Sequence, residues 1–255
     1  MARVVAVANQ KGGVAKTTTV HALARAFMDL GRRVLVVDLD PQASLTFALG
    51  LDPDGLERSL HDVVVRRAKA KDVLVEVDGL DLLPATIDLA GAELHLLTKT
   101  GREYVVRRAL EPLHDAYDLV LIDCPPSLGI LTINGLTAAG EVLIPLQCET
   151  LSQRGVGQLL ETIDDVRAYT NADLSIRGVV ATMFDGRTRL AHEVVAQVRA
   201  EHDLEVLEPP VPKSVKVAEA PGRGRSVLEH APASRPAEAY RALAAVLDRD
   251  GRRRR

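Results

Sequence analysis

The sequence contains no tryptophan, and aromatic residues fill only 3% of its 255 positions. So few rings leave no stacking platform for single-stranded nucleic acid. Cysteine is scarce too. Cys124 and Cys148 are the two, and each follows an apolar run. They make neither a disulfide framework nor a zinc site, and they suit a reducing cytosol. No apolar run reaches the ~18 residues that a membrane span needs, and no signal-peptide pattern precedes Arg3. Internal repeats, low-complexity stretches and linker-like breaks in composition are also missing. One domain over residues 1–249 is therefore expected, with 250–255 as a disordered basic tail.

The composition that remains is that of a globular protein, 47% hydrophobic and 26% charged. Net charge is −3, unevenly spread. Residues 1–186 hold 18 Lys and Arg against 25 Asp and Glu, a net of −7, while 187–255 hold 14 against 10, a net of +4. A basic final third on an acidic body points to a local anionic partner.

Apolar runs alternate with helix-period segments along the chain. Residues 4–8 read as a strand buried on both faces, followed by a Gly-rich loop and a helix over 17–30. Val20, Leu23, Ala24 and Phe27 recur there at helical spacing, and Gly31 supplies the stop. Residues 33–38, 80–84, 118–123, 141–146 and 176–183 read as further strands. Residues 104–114, 151–169, 190–202 and 236–247 read as helices. Alternation of this kind predicts an α/β fold: a single doubly wound, mostly parallel sheet with helices on both faces.

The loop after the first strand reads Gln10-Lys11-Gly12-Gly13-Val14-Ala15-Lys16-Thr17-Thr18. A phosphate-binding loop needs backbone N–H groups at the mouth of a helix, a lysine for the β/γ-phosphates and a hydroxyl for Mg2+. Each part stands here in the required order. Gln10 and Ala15 occupy the two glycine positions of the usual spacing, G-x-x-x-x-G-K-[ST]. If Ala15 must take positive φ, it costs ~1 kcal/mol relative to glycine. Asp38 and Asp40 follow one apolar run and Asp123 another. Carboxylates at the C-terminal edge of a parallel sheet face its ligand crevice, and a strand-terminal Asp is the Walker B arrangement that holds Mg2+.

Taken together, these segments resemble the ParA/Soj/MinD group of P-loop ATPases. The group's deviant loop reads K-G-G-x-G-K-T/S, and residues 11–17 match it everywhere except Ala15. Asp38-Leu39-Asp40-Pro41-Gln42 and Ile122-Asp123-Cys124-Pro125-Pro126 match the group's D-x-D-P-Q and I/V-D-x-P-P segments. Residues 182–188 and 211–221 resemble ParA/Soj more than MinD, and residues 247–255 lack the apolar face of a MinD membrane helix. The resemblance covers 4–247.

The resemblance implies ATP and Mg2+ as cofactors. Lys11, Gly12, Gly13, Val14, Ala15, Lys16, Thr17 and Thr18 would surround the phosphates, and Met183 and Pro212 the adenine. Thr17 and Asp123 would hold the metal, with Asp38 in its outer shell. Asp40 would position the attacking water, with Lys16 and a trans-acting Lys11 as the catalytic charges. It further implies an ATP-dependent homodimer and non-specific double-stranded DNA binding through Arg187 and Lys216, with Arg189, Lys213, Arg223 and Arg225 nearby. A ParB-like partner would stimulate hydrolysis on the nucleoid of the cytoplasm, with no membrane role. Three alternatives stay open: a ParA-like positioner of another cargo, a P-loop metabolic ligase, and a DNA-binding scaffold with an impaired loop.

Overall fold

Alternate side chains of the central strands enter two separate cores. Val4, Ala6, Leu35, Val37, Val120 and Ile122 point to one side of the sheet. Val5, Val7, Val34, Val36, Leu119 and Leu121 point to the other. Both faces of the pleat are therefore apolar, and these strands read as unbroken hydrophobic runs.

The computed structural model describes residues 2–148 and 152–253. Its strands are β1 (Arg3–Val7), β2 (Val34–Asp38), β3 (Val75–Val77), β4 (Leu80–Leu83), β5 (Leu119–Asp123), β6 (Glu141–Gln147), β7 (Ser175–Thr182) and β8 (Val206–Leu207). They form one sheet in the order β3-β4-β2-β5-β1-β6-β7-β8. Every pairing is parallel except β3 with β4 at one edge. The register sets Val7 and Asp38 on either side of Asp123, so the carboxylates of β2 and β5 reach the same end of the sheet.

The α-helices are α1 (Lys16–Asp29), α2 (Ser44–Ala48), α3 (Leu60–Val64), α4 (Leu89–Leu97), α5 (Val105–Leu110), α6 (Ile130–Ala138), α7 (Ser152–Tyr169), α8 (Arg189–His202), α9 (Val215–Glu219), α10 (Val227–His230) and α11 (Arg235–Arg253). Helices α1, α2, α10 and α11 close one core, and α3 to α8 close the other. Helix α11 packs along α1. Tyr240 Oη lies 3.1 Å from Thr19 Oγ1, and Arg32 pairs with Asp248 at 2.8 and 3.0 Å.

The structure adds α2, α3, α4, α6, α9, α10, β3 and β8 to the elements expected from sequence. Helix α6 is instructive, because Thr132, Ile133 and Gly135 all disfavour helix. Burial overrides that preference. Asn134 fixes the helix by accepting from Val106 N–H at 3.2 Å and donating to Arg102 O and Ile130 O. The closing helix runs past the expected residue 247 to Arg253, so 250–253, expected as a disordered tail, are helical. Arg254 and Arg255 lie outside the described residues, as does Leu151, the expected first residue of α7.

Candidate nucleotide site

The loop between β1 and α1 is held from both sides by partners remote in sequence. Asn9 Nδ2 donates to Pro145 O of β6 at 2.7 Å, and Asn9 Oδ1 accepts from Lys11 N–H at 3.0 Å. On the other flank Thr182 Oγ1, at the end of β7, donates to Val14 O at 3.0 Å. Gly13 (φ 75°) and Ala15 (φ 68°) are both left-handed, so the condition set for the cost of Ala15 is met. Ala15 is also the N-cap of α1, and no side chain caps it. The N–H groups of the first turn are left for an anion, with the positive end of the helix dipole behind them.

Charged groups converge at this mouth. Lys16 is buried, and its Nζ donates to Lys11 O at 3.2 Å. Burial lowers the Lys16 pKa, while Asp123, Cys124 and Asp40 pull it back up. Thr17 Oγ1 donates to Asp123 Oδ2 at 2.6 Å. Asp123 Oδ1 is buried with no hydrogen-bond partner among the described residues. Burial, and next the neighbouring Asp38, push the Asp123 carboxyl well above its ordinary range. An orphaned carboxylate oxygen beside a hydroxyl offers oxygen ligands to a divalent cation, and the neighbouring lysine ammonium suits the phosphate that would carry it, so these residues fit Mg2+ and a nucleotide.

The other two aspartates differ in engagement. Asp38 is fully buried. Its Oδ1 accepts from Asp40 N–H at 3.2 Å, and its Oδ2 accepts from Thr46 N–H and Thr46 Oγ1 at 2.8 Å each. Burial raises its pKa to about 6 against the pull of the Thr46 bonds. Its hydrogen bonds thus tie β2 to α2, behind the carboxylate of Asp123. Asp40 lies at the cleft wall, where its Oδ1 accepts from Gln42 N–H at 2.9 Å.

A cleft of about 630 Å³ opens in front of the loop. Gly12, Gly13, Ala15, Lys16, Thr17 and Thr18 form its floor, with Asp40 beside them. Met183 and Pro212 share its far wall, brought together by a parallel bridge between Phe184 and Pro212. The Val14 side chain is buried in the core and only its backbone faces the loop. Lys11 does not line the cleft, and its Nζ donates to Gln147 Oε1 at 3.3 Å at the end of β6.

The basic residues are exposed, and three are paired. Arg187 binds Asp185 through two bonds of 2.9 and 2.8 Å, which hold the Asp185 carboxyl down at about 2. Arg189 pairs with Glu193 at 2.7 Å and Lys216 with Glu219 at 2.9 Å. Arg187 and Lys213 line one groove with Arg235 and Glu238. Arg223 is exposed, and Arg225 borders a small pocket beside Thr17 and His21.

Sequence reasoning missed Asn9, Gln147 and the cleft residues Phe47 and Tyr240, and it named Met183 and Pro212 but not their neighbours Thr182 and Val211. Only Asn9 carried a local signal, as the polar residue that ends the first apolar run.

Comparison with known proteins agrees with this geometry. An AAA domain family model matches residues 2–176. Sporulation initiation inhibitor protein Soj of Bacillus subtilis is 43% identical over 253 residues, covering 98% of this chain and 100% of Soj. Chromosome partitioning protein ParA of Myxococcus xanthus is 42% identical over 247 residues, 96% of this chain and 87% of that protein. A solved structure described as cobyrinic acid a,c-diamide synthase of Mycobacterium smegmatis, with bound ADP and magnesium, is 50% identical. It superposes with a TM-score of 0.90 over 100% of this chain and 97% of its own.

Proposed function

Because this chain belongs to the ParA/Soj group of AAA-domain P-loop ATPases, we propose that it is an ATP-driven partition switch. In this reading ATP and Mg2+ fill the cleft, and a nucleotide-sandwich dimer binds DNA without regard to sequence. A ParB-like partner triggers hydrolysis and release. The observation that carries the reading is the mouth of α1, where the orphaned Asp123 Oδ1 stands beside Thr17 and Lys16.

Bound Mg2+ supplies neutralisation of phosphate charge. The residues of the chain do the remainder. Lys16 leaves Lys11 O and turns its ammonium to the β/γ-phosphates. First-turn N–H groups hold phosphate oxygens. Asp40 holds the attacking water at the cleft wall, and Met183 and Pro212 flank the base. Lys11, outside its own cleft, reaches the phosphates of a second copy. Association of two copies doubles the basic surface offered to DNA.

Calorimetry with Lys16→Ala tests the nucleotide assignment: loss of ATP binding with an unchanged melting curve supports it, and unchanged binding removes it. Turnover measured with DNA and with candidate partners tests the switch. A second reading, an ATP-dependent amide-forming ligase, is favoured by the likeness to the cobyrinic acid a,c-diamide synthase of M. smegmatis. Stimulation of turnover by cobyrinic acid and an ammonia donor, with no response to DNA, selects that reading instead.

A further inference from the structure

On the face of the sheet away from α1 and α11, a groove of about 920 Å³ runs between the segment after α3 and helix α5. Five cations line it: Arg66, Arg67, Lys69, Lys71 and Arg108. The one acidic residue on its wall is Asp72. All five cations are exposed, and none forms an ion pair or a side-chain hydrogen bond among the described residues. Arg108 instead lies 6.0 Å over the Tyr104 ring. What marks the groove is the gathering of five such cations along one wall, whereas Arg32, Arg33, Arg187, Arg189 and Lys216 each hold a carboxylate.

Five like charges held together raise each other's electrostatic energy, and an anion in the groove relieves all of them at once. The floor narrows the choice of anion. Val63, Val105, Ala109 and Pro112 lie between the cations. Phosphate backbones need no apolar floor, and a duplex is a convex cylinder that meets a narrow groove poorly. A protein segment that alternates carboxylates with apolar side chains satisfies both the rim and the floor.

We propose that this groove docks an acidic, amphipathic segment of a partner protein. Glutamate or aspartate side chains pair with Arg66, Arg67, Lys69, Lys71 and Arg108, and apolar side chains cover Ala109 and Pro112. The site lies across the sheet from the helices that close the nucleotide side, so docking needs neither nucleotide nor DNA. It gives the protein a second cationic surface, built from residues separate from the Arg187 and Lys216 patch, for a second kind of partner.

Fluorescence anisotropy tests this with a labelled twelve-residue peptide of repeating glutamate-glutamate-leucine, on the nucleotide-free full chain. Binding should weaken with salt and fall by at least about tenfold in the triple variant Arg67→Glu, Lys69→Glu, Arg108→Glu. The neutral triple variant with glutamine at the same positions should lose binding as well while melting like wild type. A peptide with serine in place of leucine should bind several-fold more weakly. An Arg187→Glu, Lys216→Glu variant should bind the peptide as wild type does. Absence of wild-type binding, equal loss in the Arg187→Glu, Lys216→Glu variant, or indifference to the leucines each overturns the proposal. Displacement of the peptide by a twelve-base-pair duplex at lower concentration than by unlabelled peptide also overturns it, and assigns the groove to nucleic acid.

Discussion

Thr17 and Asp123 are joined by a 2.6 Å hydrogen bond that spans the first turn of α1 and the end of β5. The bond holds one Asp123 oxygen and leaves the other buried and without a partner among the described residues. Thr17→Ala removes the hydroxyl and frees the carboxylate to turn. It is expected to weaken Mg2+-dependent ATP binding by about tenfold, ~1.4 kcal/mol. Binding without Mg2+ should change little. Titration calorimetry in the presence and absence of the metal checks the difference.

Ala15 sits at φ 68° where the related loops carry glycine. A left-handed alanine costs about 1–2 kcal/mol, and a glycine there adds back about 0.4–1 kcal/mol of chain entropy. Ala15→Gly should therefore stabilise the protein by about 0.5 kcal/mol, raising the melting temperature by about 1–2 °C. Nucleotide affinity should hold within about twofold, ~0.4 kcal/mol, because the loop already has its binding shape. Thermal melting together with ATP titration measures both.

His21, on α1 behind the loop, is held neutral. Burial and then the Arg25 cation push its pKa down to about 4, against the attraction of Glu229. A base depressed in the folded state costs stability as the unfolded chain takes up its proton. That loss begins as pH falls below the ordinary 6.5 and is complete near 4. Above 6.5 the group contributes no pH dependence. His21→Gln should thus flatten the acid limb between pH 6.5 and 4, by up to about 3 kcal/mol at the lower end. Chemical denaturation of both proteins at several pH values gives the difference directly.

Lys11 stands outside its own cleft and donates to Gln147 Oε1. Lys11→Gln should leave monomer affinity for ATP nearly intact and prevent ATP-dependent dimerisation. Dimers that persist in light scattering with ATP would count against a trans role.

Arg187 and Lys216 are each paired with a carboxylate on their own segment, so a phosphate must displace Asp185 or Glu219. Arg187→Glu with Lys216→Glu should abolish DNA binding while sparing dimerisation. Single replacements should lower the slope of log affinity against log salt by ~1 each. Binding that survives in the double variant transfers the assignment to other cations.

The nucleotide loop was legible because its chemistry sits on contiguous residues: Lys16 and Thr17 are adjacent, and helix and strand patterns flank them. Its supports were not. Asn9 bonds to Pro145, Val14 to Thr182 and Thr19 to Tyr240, all far apart in sequence and near only once the sheet has formed. The parallel sheet was legible from apolar runs of five residues, whereas β3 and β8, with three and two residues, are too short to show a period. Charge was read too coarsely. A net of −7 over residues 1–186 hides the run Arg66-Arg67-Ala68-Lys69-Ala70-Lys71. The surplus from 187 onward counts Arg187, which Asp185, just before that stretch, already answers.

The clasp between α11 and the start of the chain sets an order on biosynthesis. Arg3 Nη1 donates to Leu247 O at 2.6 Å, and Tyr240 both contacts Thr19 and lines the cleft. Strand β1 waits for β5 and β6, more than a hundred residues later, before it has any neighbour. A ribosome-bound chain therefore carries its phosphate loop without the sheet neighbours of β1 until β5 and β6 have been made. The cleft receives its last lining residue, Tyr240, from the same helix that clasps Arg3, so the nucleotide site and the clasp are completed together by residues 240–247.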